Sequence, residues 1–318
     1  MKTSWALALG AILFSTSAAA DFPERPLELV CATSPGSGAA RWCQIMADGL
    51  SQPDVLGQSV KIVFKGGGSG NEAATYGMQR DADGYTLIHS NGSWAGYMNL
   101  PTFSYKLSDF EFLAVVEKSL YAVGVRANSP YKTFADVVAA AKASPGQISV
   151  GGNKIGSIVH RMVLDLDKAG QMDLVYVPYE GTGDVVKDVL GGHVPLGFGQ
   201  HGLWRPHVDA GKVRVLLTVN EERLPSMPDV PTPSEFGLDF KIAHQWQGFF
   251  LKKGVPAEVK KTLAGALEKV IKSQAYQDYL KQNLHVVPAF ETDSDKLMTD
   301  FEAQLSDYRA FMKAQGLL

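Results

Sequence analysis

Short apolar runs alternate with longer stretches of helical spacing through most of this chain. Leu27–Thr33, Val60–Phe64, Thr86–Ser90, Phe112–Val116, Tyr121–Val125, Ile148–Gly151, Leu174–Val177, Leu196–Gly199 and Val213–Val219 have the length and composition of strands. Between them, Ala39–Ser51, Asn71–Gln79, Phe134–Ala143, Ser157–Ala169, Gly183–Leu190 and Leu203–Ala210 repeat apolar residues at helical intervals. This alternation predicts an α/β protein built on mainly parallel sheets flanked by helices. The pattern then changes. Arg223–Pro233 holds Pro225, Pro228, Pro231 and Pro233 and reads as a rigid connector. Gln247–Leu251 follows as a further strand, and Ala257–Lys272, Gln274–Gln282 and Asp293–Gln315 as amphipathic helices. Chain crossings near Val123 and Trp246 would give two lobes with a cleft between them, 21–122 plus 246–318 and 123–245.

The first residues change the picture of where this chain works. Lys2, the apolar stretch Trp5–Phe14 and the small residues Ala18-Ala19-Ala20 read as an export signal over 1–20, cut before Asp21. No later segment reaches the ~18 apolar residues of a membrane helix. A net charge of -3 argues against nucleic acid as a partner. Cys31 and Cys43 both survive removal of the signal, and in an oxidising compartment the pair is expected to be bridged.

Chemistry-bearing residues gather at glycine-rich turns between strand and helix. The first turn is Ser34-Pro35-Gly36-Ser37-Gly38-Ala39-Ala40, and a second of the same kind is Gly151-Gly152-Asn153-Lys154-Ile155-Gly156-Ser157. Each opens a helix whose first N–H groups have no intrahelical acceptor, which makes it a ready anion site. Arg41 stands in the first turn of its helix, where the dipole disfavours a cation unless an anion is bound. Lys154 and His160 hold similar places at the second turn, and Asn91, Ser93 and Gln200 lie at carboxyl ends of strands, where such folds bind ligands.

Other motifs exclude alternatives. Gly68-Ser69-Gly70-Asn71-Glu72-Ala73 fits a loose dinucleotide pattern, but the next strand ends in His89 and Ser90, without the acidic residue that would hold a ribose. Neither Ser37 nor Ser69 lies in G-x-S-x-G, and no base is paired with either, so hydrolase chemistry is not supported. The seven histidines are scattered without metal-ligand spacing. No cofactor is implied. Trp94, Trp204 and Trp246 are expected to be packing residues.

With these residues assembled, the chain resembles the substrate-binding proteins of tripartite tricarboxylate transporters, the Bug/TctC-like family. The resemblance rests on an ordered set. It runs Arg25-Pro26-Leu27, Pro35-Gly36-Ser37-Gly38, Gly66–Asn71, Asp83-Gly84-Tyr85-Thr86-Leu87, Val177-Pro178-Tyr179-Glu180-Gly181, Leu190-Gly191-Gly192-His193-Val194, Gly211-Lys212-Val213-Arg214, Pro228-Asp229-Val230-Pro231-Thr232 and Trp246-Gln247-Gly248. It is similar above all to the tricarboxylate-binding subgroup, which also pairs a first-strand Cys with a first-helix Cys.

The resemblance implies a monomeric, periplasmic, two-lobed binding protein of the type II-like fold. Such a protein closes on a small carboxylate and delivers it to a membrane permease, without catalysis. Its pincer would be Ser34–Ala40 and Gly151–Ser157, with Tyr179 nearby. A citrate- or aconitate-like di- or tricarboxylate is the expected ligand, with an aromatic dicarboxylate as the alternative because Trp94 and Tyr179 fall near the cleft. A sensory partner in place of a permease would suit the same fold. One departure stands out. The family's first turn usually runs P-G-G-G-x-D, whereas here Ser37 takes the middle glycine's place and Ala40 the Asp's, which disfavours an amino-acid ligand.

Overall fold

The computed structural model describes residues 22–318 apart from Pro225 and Lys241. The expected export signal and its cut before Asp21 lie outside the described residues. The first part of the chain runs β1 (Leu27–Cys31), α1 (Gly38–Leu50), β2 (Val60–Phe64), α2 (Asn71–Met78), β3 (Thr86–Asn91), the single turn α3 (Trp94–Tyr97) and β4 (Phe110–Ser119). Next come β5 (Tyr121–Arg126), α4 (Phe134–Ala143), β6 (Ser149–Gly152), α5 (Ile158–Gly170), β7 (Val175–Pro178), α6 (Thr182–Gly191), β8 (Leu196–Gln200), α7 (His201–Asp209) and β9 (Val213–Val219). The last part is β10 (Gln245–Lys252), α8 (Ala257–Lys272), α9 (Gln274–Gln282), β11 (Val286–Glu291) and α10 (Ser294–Ala314).

Two sheets result, a six-stranded one in the order β11-β4-β10-β3-β1-β2 and a five-stranded one in the order β7-β6-β8-β5-β9. Each contains a parallel set, β2-β1-β3 in the first and β7-β6-β8 in the second. The remaining neighbours pair antiparallel: β10 and β5 enter their sheets from the opposite end after the chain has crossed between lobes, and β11 runs back along β4. The sheets are therefore mixed around parallel cores. Strand β11 has no counterpart in the hydropathy pattern. It is an edge strand with an irregularity before Glu291, and it holds Pro288, which an edge tolerates because one side of the strand has no ladder to complete.

Helical spacing works as expected in α1, where Trp42, Cys43, Met46, Ala47 and Leu50 bury one face against the first sheet. The opposite face of that sheet is covered by Trp94 of α3 and by Phe301 and Tyr308 of α10, among others. The chain leaves the first sheet through one residue, Leu120, and returns through 220–244. Leu120 is buried and both its backbone groups are paired. Its N–H donates to the His285 carbonyl at 2.6 Å, and its carbonyl accepts from the His201 N–H at 3.0 Å.

A polar network lies under α1. Glu117 of β4 is 1% exposed, and its carboxyl accepts from Tyr276 Oη at 2.7 Å and Tyr279 Oη at 3.2 Å. Burial pushes its pKa up to about 7, against the opposing pull of Tyr276, Tyr279 and Trp42. The folded protein thus keeps a proton that the unfolded chain releases near 4.5. The stability this proton supplies is present below about 4.5 and is lost as pH rises through about 7. Removing the titration with Glu117→Gln is expected to flatten that part of the profile, a difference of up to roughly 3 kcal/mol. Melting temperature measured against pH for both proteins checks it; parallel profiles would show that Glu117 does not titrate there.

Candidate functional site

Parallel strands end at the same edge of a sheet, so β1, β2 and β3 deliver their following turns to one edge and β6, β7 and β8 to another. Ligands of open α/β sheets bind outside that carboxyl edge. Contacts join the two edges. Ser93 Oγ, just after β3, accepts from the Ile158 N–H of α5 at 3.5 Å. A Cβ added to Gly96 would lie 2.5 Å from the Gly156 carbonyl, and one on Gly92 would lie 2.9 Å from Ile158 Cδ1. Glycine is required at both places for the lobes to meet.

The first turn is held open by local chemistry. Gly36 takes a left-handed φ of 82°, with nothing near where a Cβ would stand. Ser37 is the N-cap of α1. Its Oγ accepts from the Ala40 N–H at 3.1 Å and lies 3.0 Å from Thr33 Oγ1. The backbone of Ser34 rests on Gly66, where an added Cβ would come within 2.9 Å of the Ser34 nitrogen. Among the described residues, the N–H groups of Gly36, Ser37, Gly38 and Ala39 have no partner within the chain. The expected bridge forms between Cys31, the last residue of β1, and Cys43 in α1. It ties the two flanks of this turn together beneath it. His89 lies beside the bridge, and its Nε2 donates to Gln247 Oε1 at 2.7 Å. Burial lowers its pKa to about 4, so it is neutral.

The second turn is built differently. Ser157 caps α5 by accepting from the His160 N–H at 3.2 Å, and His160 Nδ1 accepts from the Gly156 N–H at 3.2 Å. Burial lowers the His160 pKa to about 4, and its ring centroid sits 4.5 Å from that of Tyr176. A neutral His160 with an accepting Nδ1 carries its proton on Nε2. With Ser93 on Ile158, much of this turn's donor capacity is taken by the protein itself. The Asn153 carbonyl accepts from Tyr176 Oη, and its Oδ1 accepts from Thr182 Oγ1 at 3.3 Å.

The charged residues expected at the pincer have partners. The Arg41 guanidinium donates to Gln282 Oε1 of α9 at 2.8 Å. Lys154 pairs with Glu180 at 2.8 Å. Asn91 Oδ1 accepts from the Ser93 N–H at 3.0 Å and so shapes the turn after β3. Gln200 ends β8 opposite Tyr121. Tyr179 donates to Asp188 at 2.8 Å, and burial, with Asp188 beside it, pushes its pKa to about 12. Trp94 is buried against Phe103, Phe110 and Phe250. Trp204 is buried too, and Trp246 packs on Phe112 and Phe301. Trp94 is thus part of the core, while Tyr179 is half-buried and tied through Asp188 to α6.

Four tyrosines absent from the expectations, Tyr97 of α3, Tyr121 of β5, Tyr176 of β7 and Tyr308 of α10, are buried or half-buried, and burial raises the pKa of each phenol. Only the position of Tyr121, at the crossing between lobes, offered a signal in the sequence.

A family model described as "Tripartite tricarboxylate transporter family receptor" matches residues 43–317. A Cupriavidus necator protein, described by its place in the gbd 5' region, is 29% identical over 279 residues, 86% of this chain and 83% of that protein. Among solved structures, MatC from Rhodopseudomonas palustris with bound malate has a TM-score of 0.75 at 23% identity, covering 91% of this chain and 99% of MatC. Rpa4515 of R. palustris with adipate has a TM-score of 0.78 at 24% identity, covering 93% and 99%. At that identity the two structures speak for the fold alone.

The bridge closes a loop with a sequence separation of 12. Opening it with Cys31→Ala and Cys43→Ala together is expected to lower stability by about 3 kcal/mol. Denaturant unfolding of the two proteins measures this, and an unchanged midpoint would show that the packing of α1 alone holds the turn.

Proposed function

Because this chain belongs to the tripartite tricarboxylate transporter receptor family, we propose that it is a periplasmic receptor that captures a small di- or tricarboxylate and hands it to the transporter's membrane permease. The observation that carries the reading is the first turn. Four N–H groups at the start of a 13-residue helix lack a partner within the chain and stand at the carboxyl edge of a parallel strand set. A buried carboxylate needs such donors, and the helix dipole adds a positive end. The malate and adipate held by MatC and Rpa4515 are small dicarboxylates and favour the same class.

The mechanism follows from the two lobes. The first lobe carries the strands between Leu27 and Ser119 and those from Gln245 onward, the second those between Tyr121 and Val219, and the chain passes between them at Leu120 and through 220–244. A ligand anchored on the first turn and touched by the second lobe binds the closed form better than the open one. It therefore shifts the population toward closure by that difference in affinity. The pincer residues are Ser34, Gly36, Ser37, Gly38, Ala39 and Ala40 on one side and Asn153, Gly156 and Ser157 on the other. Arg41, Lys154 and His160 act on the ligand only after leaving their present partners. The closed form is the one the permease would recognise.

One substitution separates this reading from a merely structural turn. Nothing lies within 4 Å of a Cβ on Gly38, and an acidic residue in a helix's first turn favours the helix. Gly38→Asp is thus expected to leave the melting temperature unchanged or raised, while weakening carboxylate binding at least tenfold by charge repulsion. Thermal shift and calorimetry against citrate, aconitate, malate, succinate and adipate give both readouts. Undiminished binding would move the anion site away from the first turn, and no binding by any carboxylate to the unaltered protein would overturn the class.

A further inference from the structure

Beneath the first turn, three residues that can hold a metal stand together. Cys31 ends β1, Cys43 meets it from α1, and His89 lies on β3, the neighbour of β1. The two sulfurs and a ring nitrogen of His89 all lie within 4.8 Å of one another. All three residues are fully buried. They have no metal-ligand spacing along the chain and meet only when β1, α1 and β3 pack.

The histidine is set up as a ligand. Its Nε2 donates to Gln247 Oε1 at 2.7 Å, which puts the ring proton on that nitrogen and leaves a lone pair on Nδ1. Nδ1 is buried and, among the described residues, has no partner. Buried polar atoms in native proteins almost always have one, and the bridged sulfurs offer Nδ1 no hydrogen to accept. Metal-binding histidines give one ring N–H to a fixed oxygen and turn the other nitrogen to the ion, and His89 has that arrangement. Trp42 braces the ring, with centroids 5.3 Å apart.

We propose that, while its cysteines are dithiols, this chain binds one thiophilic d10 metal ion, copper(I) or zinc(II), between Cys31 Sγ, Cys43 Sγ and His89 Nδ1. Thiolates joined by an imidazole suit such ions. A zinc ion about 2.3 Å from each sulfur and about 2.0 Å from a nitrogen holds its ligands roughly 3.5–4 Å apart, close to the spacing already present. The cysteine Cα atoms stand 6.3 Å apart, so the sulfurs have only to part and the backbone can stay. Metal and oxidant then compete for one pair of thiols. Binding the ion releases the two thiol protons and moves no electron. Forming the bridge passes two electrons and the two protons to a disulfide-class oxidant, which leaves as a dithiol. Either outcome ties the flanks of the first turn, so the turn is braced before oxidation as well as after it.

Refolding tests this. The protein is unfolded and reduced with a phosphine, which takes an oxygen from water as the bridge opens to two thiols. It is then refolded without oxygen in the presence of copper(I), zinc(II) or no metal, and freed of loose ions. One ion per chain is expected on the reduced protein and none on the oxidised one. His89→Gln should weaken retention against a chelator at least tenfold, and Cys31→Ser together with Cys43→Ser should abolish it. X-ray absorption of the loaded, unaltered protein should show two sulfurs and one nitrogen around the metal. Retention of either ion alone upholds the proposal and identifies the metal. No retained ion, an ion kept by the double serine variant, or retention indifferent to His89→Gln would overturn it. Should a variant fail to fold, X-ray absorption decides alone, and a shell lacking either sulfur or nitrogen overturns the proposal. The receptor reading is tested separately, by carboxylate binding to the oxidised protein.

Discussion

One residue, Leu120, carries the chain from the last residue of β4 to the first of β5, and both of its backbone groups are spoken for. Its N–H is held by the His285 carbonyl next to β11, and its carbonyl by the His201 N–H at the start of α7. A buried peptide must pair its N–H and C=O, and here one partner comes from each lobe. That requirement brings Ser119 and Gln245 of the first sheet close to Tyr121 and Gln200 of the second. The edges from which the glycine turns rise are placed by it. His201 adds a cross-link. Its Nδ1 lies 3.1 Å from the Leu284 carbonyl and its Nε2 lies 3.2 Å from Ser226 Oγ.

The two turns that such a scaffold presents are unequal. The first keeps its helix N–H groups open and is braced from below by a disulfide and from the side by Gly66. The second uses His160, Ser157 and Ser93 to satisfy its own N–H groups. An open set of donors is suited to an anion, and a closed set to rigid contact between lobes. The charged residues follow the same division of labour. Arg41 and Lys154 are held at the rim by Gln282 and Glu180, where a charge stays solvated. Electrostatic attraction at the rim and hydrogen bonding within keep the burial of charge small.

Rigidity under the first turn comes from polar as well as apolar packing. Trp42 stacks on Phe249 with ring centroids 5.1 Å apart and tilts against His89 at 5.3 Å. His89 and Glu117 are both buried, and each finds a neutral partner, Gln247 for one and two tyrosines of α9 for the other. Burial moves both toward their uncharged forms. The core beneath α1 thus holds hydrogen-bonded groups that fix direction, with His89 neutral and Glu117 protonated below about pH 7.

The alternation of apolar runs and helical spacing was enough to read the α/β class, the glycine turns and the order of the elements, because strand and helix periods are local properties of the chain. The pairing of Cys31 with Cys43 was legible too, since both flank one short turn. Strand β11 was hidden by Pro288, and the antiparallel entries of β5 and β10 by the absence of any local mark of direction. The phenols of Tyr97, Tyr121, Tyr176 and Tyr308 lie far apart in sequence, and each looks like an ordinary packing residue until four elements converge. The same holds for the partners that Arg41, Lys154 and His160 have in this structure, which come from distant or newly folded neighbours. Local order follows from which residues neighbour one another along the chain. Which donors stay open and which are spent depends on which distant groups reach them, and that is settled only when the two lobes pack.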